Sequence, residues 1–199
     1  MIIVLTSEQV LEKETDKINL LFDHGLEILH LRKPSFDIED YRKFIEQIDV
    51  KHRNKIMIHY YHELCEEFNL RGIHLQEQPR IDLSDDLDAY VKEYNANNFK
   101  VSSSFHAKDT IANCSVEFDY VLLSPVFGSI SKAGYEGKGF DVNDLQANVI
   151  GMGGINEHNL KKTFELGFKG VGVLGGIWNT EDYLKSFIAI KDGVSSIGI

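Results

Sequence analysis

The sequence predicts an α/β protein, a single-domain (β/α)8 TIM barrel covering residues 1–199. Short β-branched runs alternate with longer amphipathic stretches, the pattern of a parallel sheet with covering helices. Eight such units fit in the chain, about 25 residues each, near the lower size limit of the barrel. A doubly wound open sheet shares the alternation; eight units with no second domain favour the barrel. No linker, low-complexity tract or further repeat interrupts the chain.

The first strand is placed at 2–5 and its helix at 14–23. Strand two takes 27–31, followed by a helix at 37–48 with Ser35 or Asp37 as its cap. Strand three takes 55–58, with a short helix at 62–68. Strand four takes 72–75, then a helix at 84–94 capped by Ser84, with acids in its first turn where the helix dipole favours them. Strand five, 99–103, leads to a helix at 107–113, and strand six, 119–123, to a brief helix at 142–147. Strand seven, 148–152, precedes a helix at 156–165 closed by Gly167. Strand eight, 170–174, precedes the last helix, 180–190.

Lys plus Arg number 21 against 31 Asp plus Glu, a formal charge of −10, which argues against a nucleic-acid partner. An apolar share of 43% argues against disorder. Cys65 and Cys114 lie far apart in apolar contexts, which suits buried thiols in a reducing compartment. Met1–Leu5 is too short for a signal-peptide core, and no apolar run approaches the roughly 20 residues of a membrane span. A soluble cytoplasmic protein without a membrane partner is expected.

Two glycine pairs stand out. Gly153-Gly154 follows strand seven in IGMGGIN, and Gly175-Gly176 follows strand eight in VGVLGGIW. Bare N–H groups converging there hold an anion without a cationic side chain. The loops after strands seven and eight are also the recurrent phosphate site of such barrels. Ligand-free tight turns are the plainer reading of either pair alone; their equivalent placement favours phosphate.

On strand two, alternation puts Ile28, His30 and Arg32 on one face and Leu29 and Leu31 on the other. An inward Arg32 needs an anion, either an internal carboxylate or a substrate group. His106 ends strand five in VSSSFH, where it suits general acid/base work, with Ser104 beside it. The irregular stretch 124–140, rich in glycine, has the character of a lid and carries Ser129, Ser131, Lys132 and Glu136. Lys132 offers a cation over the site. His30, His59 and His74 on strands two to four have the makings of a zinc set and a hydrolase, but packing histidines are commoner, and no metal is expected. His62 and His158, at helix starts, read as surface residues.

Taken together, LHLRK, GIHL, the SxH ending strand five, DYVLLSPVFGSISK, GMGGIN and GVGVLGGI resemble the thiamine phosphate synthase and thiazole tautomerase (TenI-like) family almost end to end. The resemblance implies the barrel and a thiazole phosphate site at the strand ends. Gly153, Gly154, Gly175 and Gly176 match its phosphate positions, Ser129, Ser131 and Lys132 its lid motif, and Ser104 and His106 its strand-five motif.

The departures bear on the reaction. Synthases of this family usually carry Q-L-R-x-K on strand two; here His30 replaces Gln, Arg32 is kept and Pro34 takes the Lys position. His59-Tyr60 stands where synthases have Asn-Asp for Mg²⁺, and a second metal-binding Asp is lost near Pro79. The expected activity is therefore a metal-independent thiazole phosphate tautomerase. His106 carries the proton, Arg32 or Lys132 meets the substrate carboxylate, and His30, Ser104, Ser129, Ser131 and the four glycines complete the pocket. No cofactor is expected. The alternatives are a thiamine phosphate synthase, for which Mg²⁺ would be required, and a non-catalytic binder of thiazole or thiamine phosphate. Family members are often oligomeric, so a homo-oligomer fits the resemblance.

Overall fold

The computed structural model describes residues 1–128 and 137–197. Eight parallel strands pair in chain order, β1 to β8, and β1 closes the barrel on β8. β1 (Ile2–Leu5) is followed by α1 (Glu14–Asp23), and β2 (Ile28–Leu31) by α2 (Ile38–Glu46) and the single turn α3 (Val50–Arg53). β3 (Ile56–Ile58) precedes α4 (Leu64–Phe68); β4 (Gly72–Leu75) precedes α5 (Glu77–Asp82) and α6 (Leu87–Ala96). β5 (Lys100–Phe105) leads to α7 (Lys108–Ala112), and β6 (Tyr120–Leu123) to no helix among the described residues. β7 (Val149–Met152) precedes α8 (Leu160–Glu165), and β8 (Gly170–Val173) precedes α9 (Gly175–Trp178) and α10 (Tyr183–Ser196).

Alternation along the strands builds two cores. Ile3, Leu5, Ile28, Met57, Tyr120, Leu122 and Ile150 fill the barrel. Their neighbours face outward, where Leu29, Leu31, Ile56 and Ile58 meet Ile18, Leu21, Tyr41 and Ile45 of the helices. The predicted division of strand two therefore holds, with Ile28 and His30 inside and both leucines outside. α1 buries Ile18, Leu21 and Phe22 along one stripe. Asp37 caps α2, its carboxylate accepting the Asp40 N–H at 2.9 Å, and Asp182 caps α10 in the same way from Lys185 at 3.0 Å.

Several local expectations need correction. Residues 142–147 form a turn, not a helix. Val142 donates to the Leu166 carbonyl at 2.8 Å and the Asp141 carboxylate binds Asn143, so the segment is held against α8 before a helix can propagate. Ser84 caps nothing: it has φ +47° and opens a 3₁₀ turn, and α6 begins at Leu87. α5 was not expected; its Pro79 sits in the first turn, where a missing N–H costs no hydrogen bond. α8 starts four residues later than predicted, because Asn156 and Asn159 side chains bind local backbone N–H groups in a turn ahead of it.

Lys33, one residue off the inward register, leaves the barrel. Its ammonium lies 2.5 Å from the Glu14 carboxylate and donates to the Gln9 carbonyl at 2.7 Å, and both charged side chains are buried. Burial pulls the Lys33 pKa down, and Glu14 opposes that shift. Glu14→Ala is expected to cost about 3–5 kcal/mol in urea unfolding, because it strands a buried ammonium. The double variant Glu14→Leu/Lys33→Met should recover most of that loss.

Candidate active site

The carboxyl ends of the strands gather the residues able to do chemistry. His106, one residue past β5, is exposed at the barrel mouth. Its Nδ1 lies 3.0 Å from the Ser124 carbonyl and 3.1 Å from the Ser124 hydroxyl. A carbonyl only accepts, so Nδ1 carries the hydrogen, and in the neutral ring Nε2 keeps a lone pair that meets no partner among the described residues. The ring is thus held by the end of β6. Its backbone is held as well: the His106 N–H donates to the Glu77 carboxylate at 3.1 Å, and Lys138 donates to the His106 carbonyl at 2.9 Å.

The two glycine turns lie side by side. Gly153 and Gly154 have φ of +97° and +66°, the left-handed region that favours glycine. A Cβ on Gly154 would stand 2.2 Å from the Gly128 carbonyl oxygen, and one on Gly176 would stand 2.6 Å from the Ile155 carbonyl. The turn after β7 is therefore pressed between the β6 loop and the start of α9. Gly175 and Gly176 open α9, where the first-turn N–H groups lack helical acceptors.

Below the mouth, the barrel interior is lined by imidazoles and hydroxyls. His30 Nδ1 faces His59 Nε2 at 2.9 Å, and His30 Nε2 meets the Tyr120 hydroxyl at 2.6 Å. His74 bonds Ser102 at 2.8 Å through Nδ1 and Ser104 at 2.7 Å through Nε2. All three histidines are buried. Burial lowers the His30 pKa to about 3, helped by the Arg71 charge. Burial also lowers His59 and His74 well below the usual imidazole range, with the neighbouring imidazoles adding to it.

Arg32 reaches the rim rather than the interior, where it is paired with Glu8 and partly exposed. Its charge still bears on His59. Ser104 is committed to His74 and half-buried. Ser129, Ser131, Lys132 and Glu136 lie outside the described residues. His158 is exposed as expected, but His62 is not a surface residue: Nδ1 meets the Tyr90 hydroxyl at 2.8 Å and Nε2 is buried. The sequence reading missed Glu77, Ser124 and Lys138. Glu77 carried a usable signal, since it stands two residues beyond β4; the other two were hidden inside the stretch read only as a lid.

For a metal, the donors near the ends of β3 and β4 are His59, His74, Tyr60 and one carboxylate, Glu77, which already accepts from His106 and faces Arg80. Mg²⁺ takes oxygen ligands in a near-octahedral shell, and this nitrogen-rich set does not fit it.

Two measurements check this description. Because the three buried imidazoles resist protonation in the folded state and accept it when unfolded, stability should fall as pH drops below about 6.5. Each contributes up to about 1.4 kcal/mol per pH unit, and His74→Asn should make the slope shallower in denaturant titrations. Gly154→Ala, which meets both a positive φ and a backbone oxygen, should lose more than about 1 kcal/mol of unfolding free energy.

A family model described as "Thiamine monophosphate synthase" matches residues 1–177. A thiamine-phosphate synthase of Caldicellulosiruptor bescii is 24% identical over 178 residues, covering 84% of this chain and 78% of its own. One from Dictyoglomus thermophilum is 23% identical over 195 residues, covering 91% and 84%. A crystal structure of thiamine phosphate pyrophosphorylase from Bacteroides thetaiotaomicron is 30% identical, with TM-score 0.76, covering 98% of this chain and 97% of that one. The Pyrococcus furiosus thiamine phosphate pyrophosphorylase shares the fold at TM-score 0.78 with 15% identity, covering 100% and 96%. With its closed eight-stranded barrel and this match over most of its length, the chain belongs to the thiamine monophosphate synthase family of thiamine biosynthesis.

Proposed function

We propose that the protein is a thiazole phosphate tautomerase of thiamine biosynthesis, working without Mg²⁺. The observation that carries this reading is the anchored imidazole of His106, whose Nδ1–H is spent on Ser124 and whose Nε2 lone pair meets no partner among the described residues. In the reaction, Nε2 takes a proton from one carbon of a carboxylated thiazole phosphate. The electron pair left behind shifts through the ring system, and Nε2–H returns a proton at a second position, leaving an aromatic thiazole. No atom is gained or lost, and the base ends in its starting form. Gly153, Gly154, Gly175 and Gly176 hold the phosphate by their N–H groups. Arg32, released from Glu8, or Lys132 meets the carboxylate, and the family motif assigns Ser129 and Ser131 to substrate binding. His30 and Ser104 support the pocket floor from the neutral network.

The second reading, a thiamine phosphate synthase, is favoured by the names of the relatives. Against it stand Pro34 at the position of a diphosphate-binding lysine and Lys33 turned away into an ion pair with Glu14. The nitrogen donors below the mouth also suit Mg²⁺ poorly.

An absorbance assay on the carboxylated thiazole phosphate separates the two readings. Wild-type turnover should be insensitive to Mg²⁺ removal, and His106→Ala should lower kcat by about 10²–10⁴-fold. Unchanged turnover in His106→Ala would remove the proposed proton carrier. Mg²⁺-dependent joining of a pyrimidine diphosphate to thiazole phosphate, with no tautomerisation, would establish the synthase instead.

A further inference from the structure

His30, His59 and His74 lie on or just beyond three adjacent strands, β2 to β4, and cluster inside the barrel. One nitrogen from each lies within 4.8 Å of the other two. The ring centroids are 4.2 Å apart for His59 and His74 and 4.8 Å for His30 and His74. His30 Nδ1 and His59 Nε2 point at each other across 2.9 Å. Two facing imidazole nitrogens can share only one hydrogen, so one lone pair is always directed at its neighbour. In a tetrahedral zinc site with bonds of about 2.0–2.1 Å, ligand nitrogens stand roughly 3.3–3.4 Å apart. The His30–His59 pair would need to open by a few tenths of an ångström, and the widest pair, within 4.8 Å, to close by up to about 1.5 Å.

We propose that His30, His59 and His74 form a three-nitrogen site for a divalent transition ion of the zinc or cobalt type, with its fourth position toward Ser104 and the mouth. The surrounding bonds have the form that such a site needs. A metal-bound imidazole usually donates its other N–H to a fixed partner. His30 keeps Tyr120 at 2.6 Å for this, and His74 keeps one of its two serines while giving up the other. His59 Nδ1 is buried without a partner among the described residues, so His59 is the one imidazole of the three whose present contacts leave a ring nitrogen unmatched. Three neutral ligands leave the ion's charge of +2 uncompensated. The fourth position therefore takes hydroxide or an anionic group arriving through the mouth, where Ser104 is half-buried. Imidazole donors select zinc, cobalt or nickel over Mg²⁺. This site goes beyond the proton transfer assigned to His106 and does not rest on it.

The test uses the full-length chain, stripped with chelator and then titrated with Zn²⁺ or Co²⁺. Elemental analysis should find about one ion per chain, and Co²⁺ should give intense visible bands of a tetrahedral site. His59→Asn and His74→Asn should each lower occupancy at least about tenfold at equal free ion, whereas the exposed His158→Ala should leave it unchanged. Circular dichroism checks that each variant is folded. Undiminished occupancy in folded His59→Asn overturns the site. Should both asparagine variants fail to fold, the wild-type Co²⁺ spectrum decides: tetrahedral bands support the site, and weak octahedral bands or no bound ion overturn it. Occupancy and spectrum are read without turnover, so failure here and failure of the tautomerase assay remain distinguishable.

Discussion

A closed barrel screens its interior from bulk solvent, so polar side chains there turn to partners on other strands. That constraint organises this molecule. His30 joins β2 to His59 beyond β3 and, across the lumen, to Tyr120 on β6, while His74 joins β4 to two serines of β5. Each neutral hydrogen bond is worth only about 1 kcal/mol, but an orphaned buried group costs about 1–3 kcal/mol. The network therefore fixes strand positions more by the penalty of breaking it than by the gain of making it. Residues one step higher inherit that order, and His106 stands two residues above Ser104 on the same inward register.

In the proposed reaction, the site above this floor divides its tasks between main chain and side chain. The anion is given to backbone N–H groups at two glycine turns, where Gly153 and Gly154 adopt positive φ and a Cβ on Gly154 or Gly176 would strike a backbone carbonyl. The proton is assigned to one imidazole whose tautomer is set by a carbonyl. Such an arrangement suits a chain of net charge −10, because attraction of an anionic substrate is not left to a general positive surface. Mobile cations can be few when dipoles are already in place.

The barrel itself was legible because alternation has a period of two and a one-residue error would turn every side chain around. Ile28, Leu29, His30 and Leu31 all fell on the faces that their spacing gave them. The glycine pairs were legible because their positions repeat at two strand ends. What escaped was set by contacts between distant segments. Arg32 belongs to the inward face by parity, but Glu8 on another loop draws it to the rim. His62 has a surface-like sequence context, and only the packing of α4 near α6 brings it to Tyr90. Residues 142–147 have helical composition and are held by Leu166 instead. Glu77 stands near a strand end in sequence, but its partner, the His106 N–H, is set by the start of α5 lying beside the end of β5.

Barrel closure has one more consequence. The seam between β1 and β8 joins Ile2 to Val171 in register, and the Trp178 indole N–H reaches back to the Leu5 carbonyl at 2.6 Å. A chain still emerging from the ribosome with β8 unmade would expose β1 and β7 as bare edges, each able to recruit a foreign strand. Until β8 docks between them, those two edges stay open to such pairing.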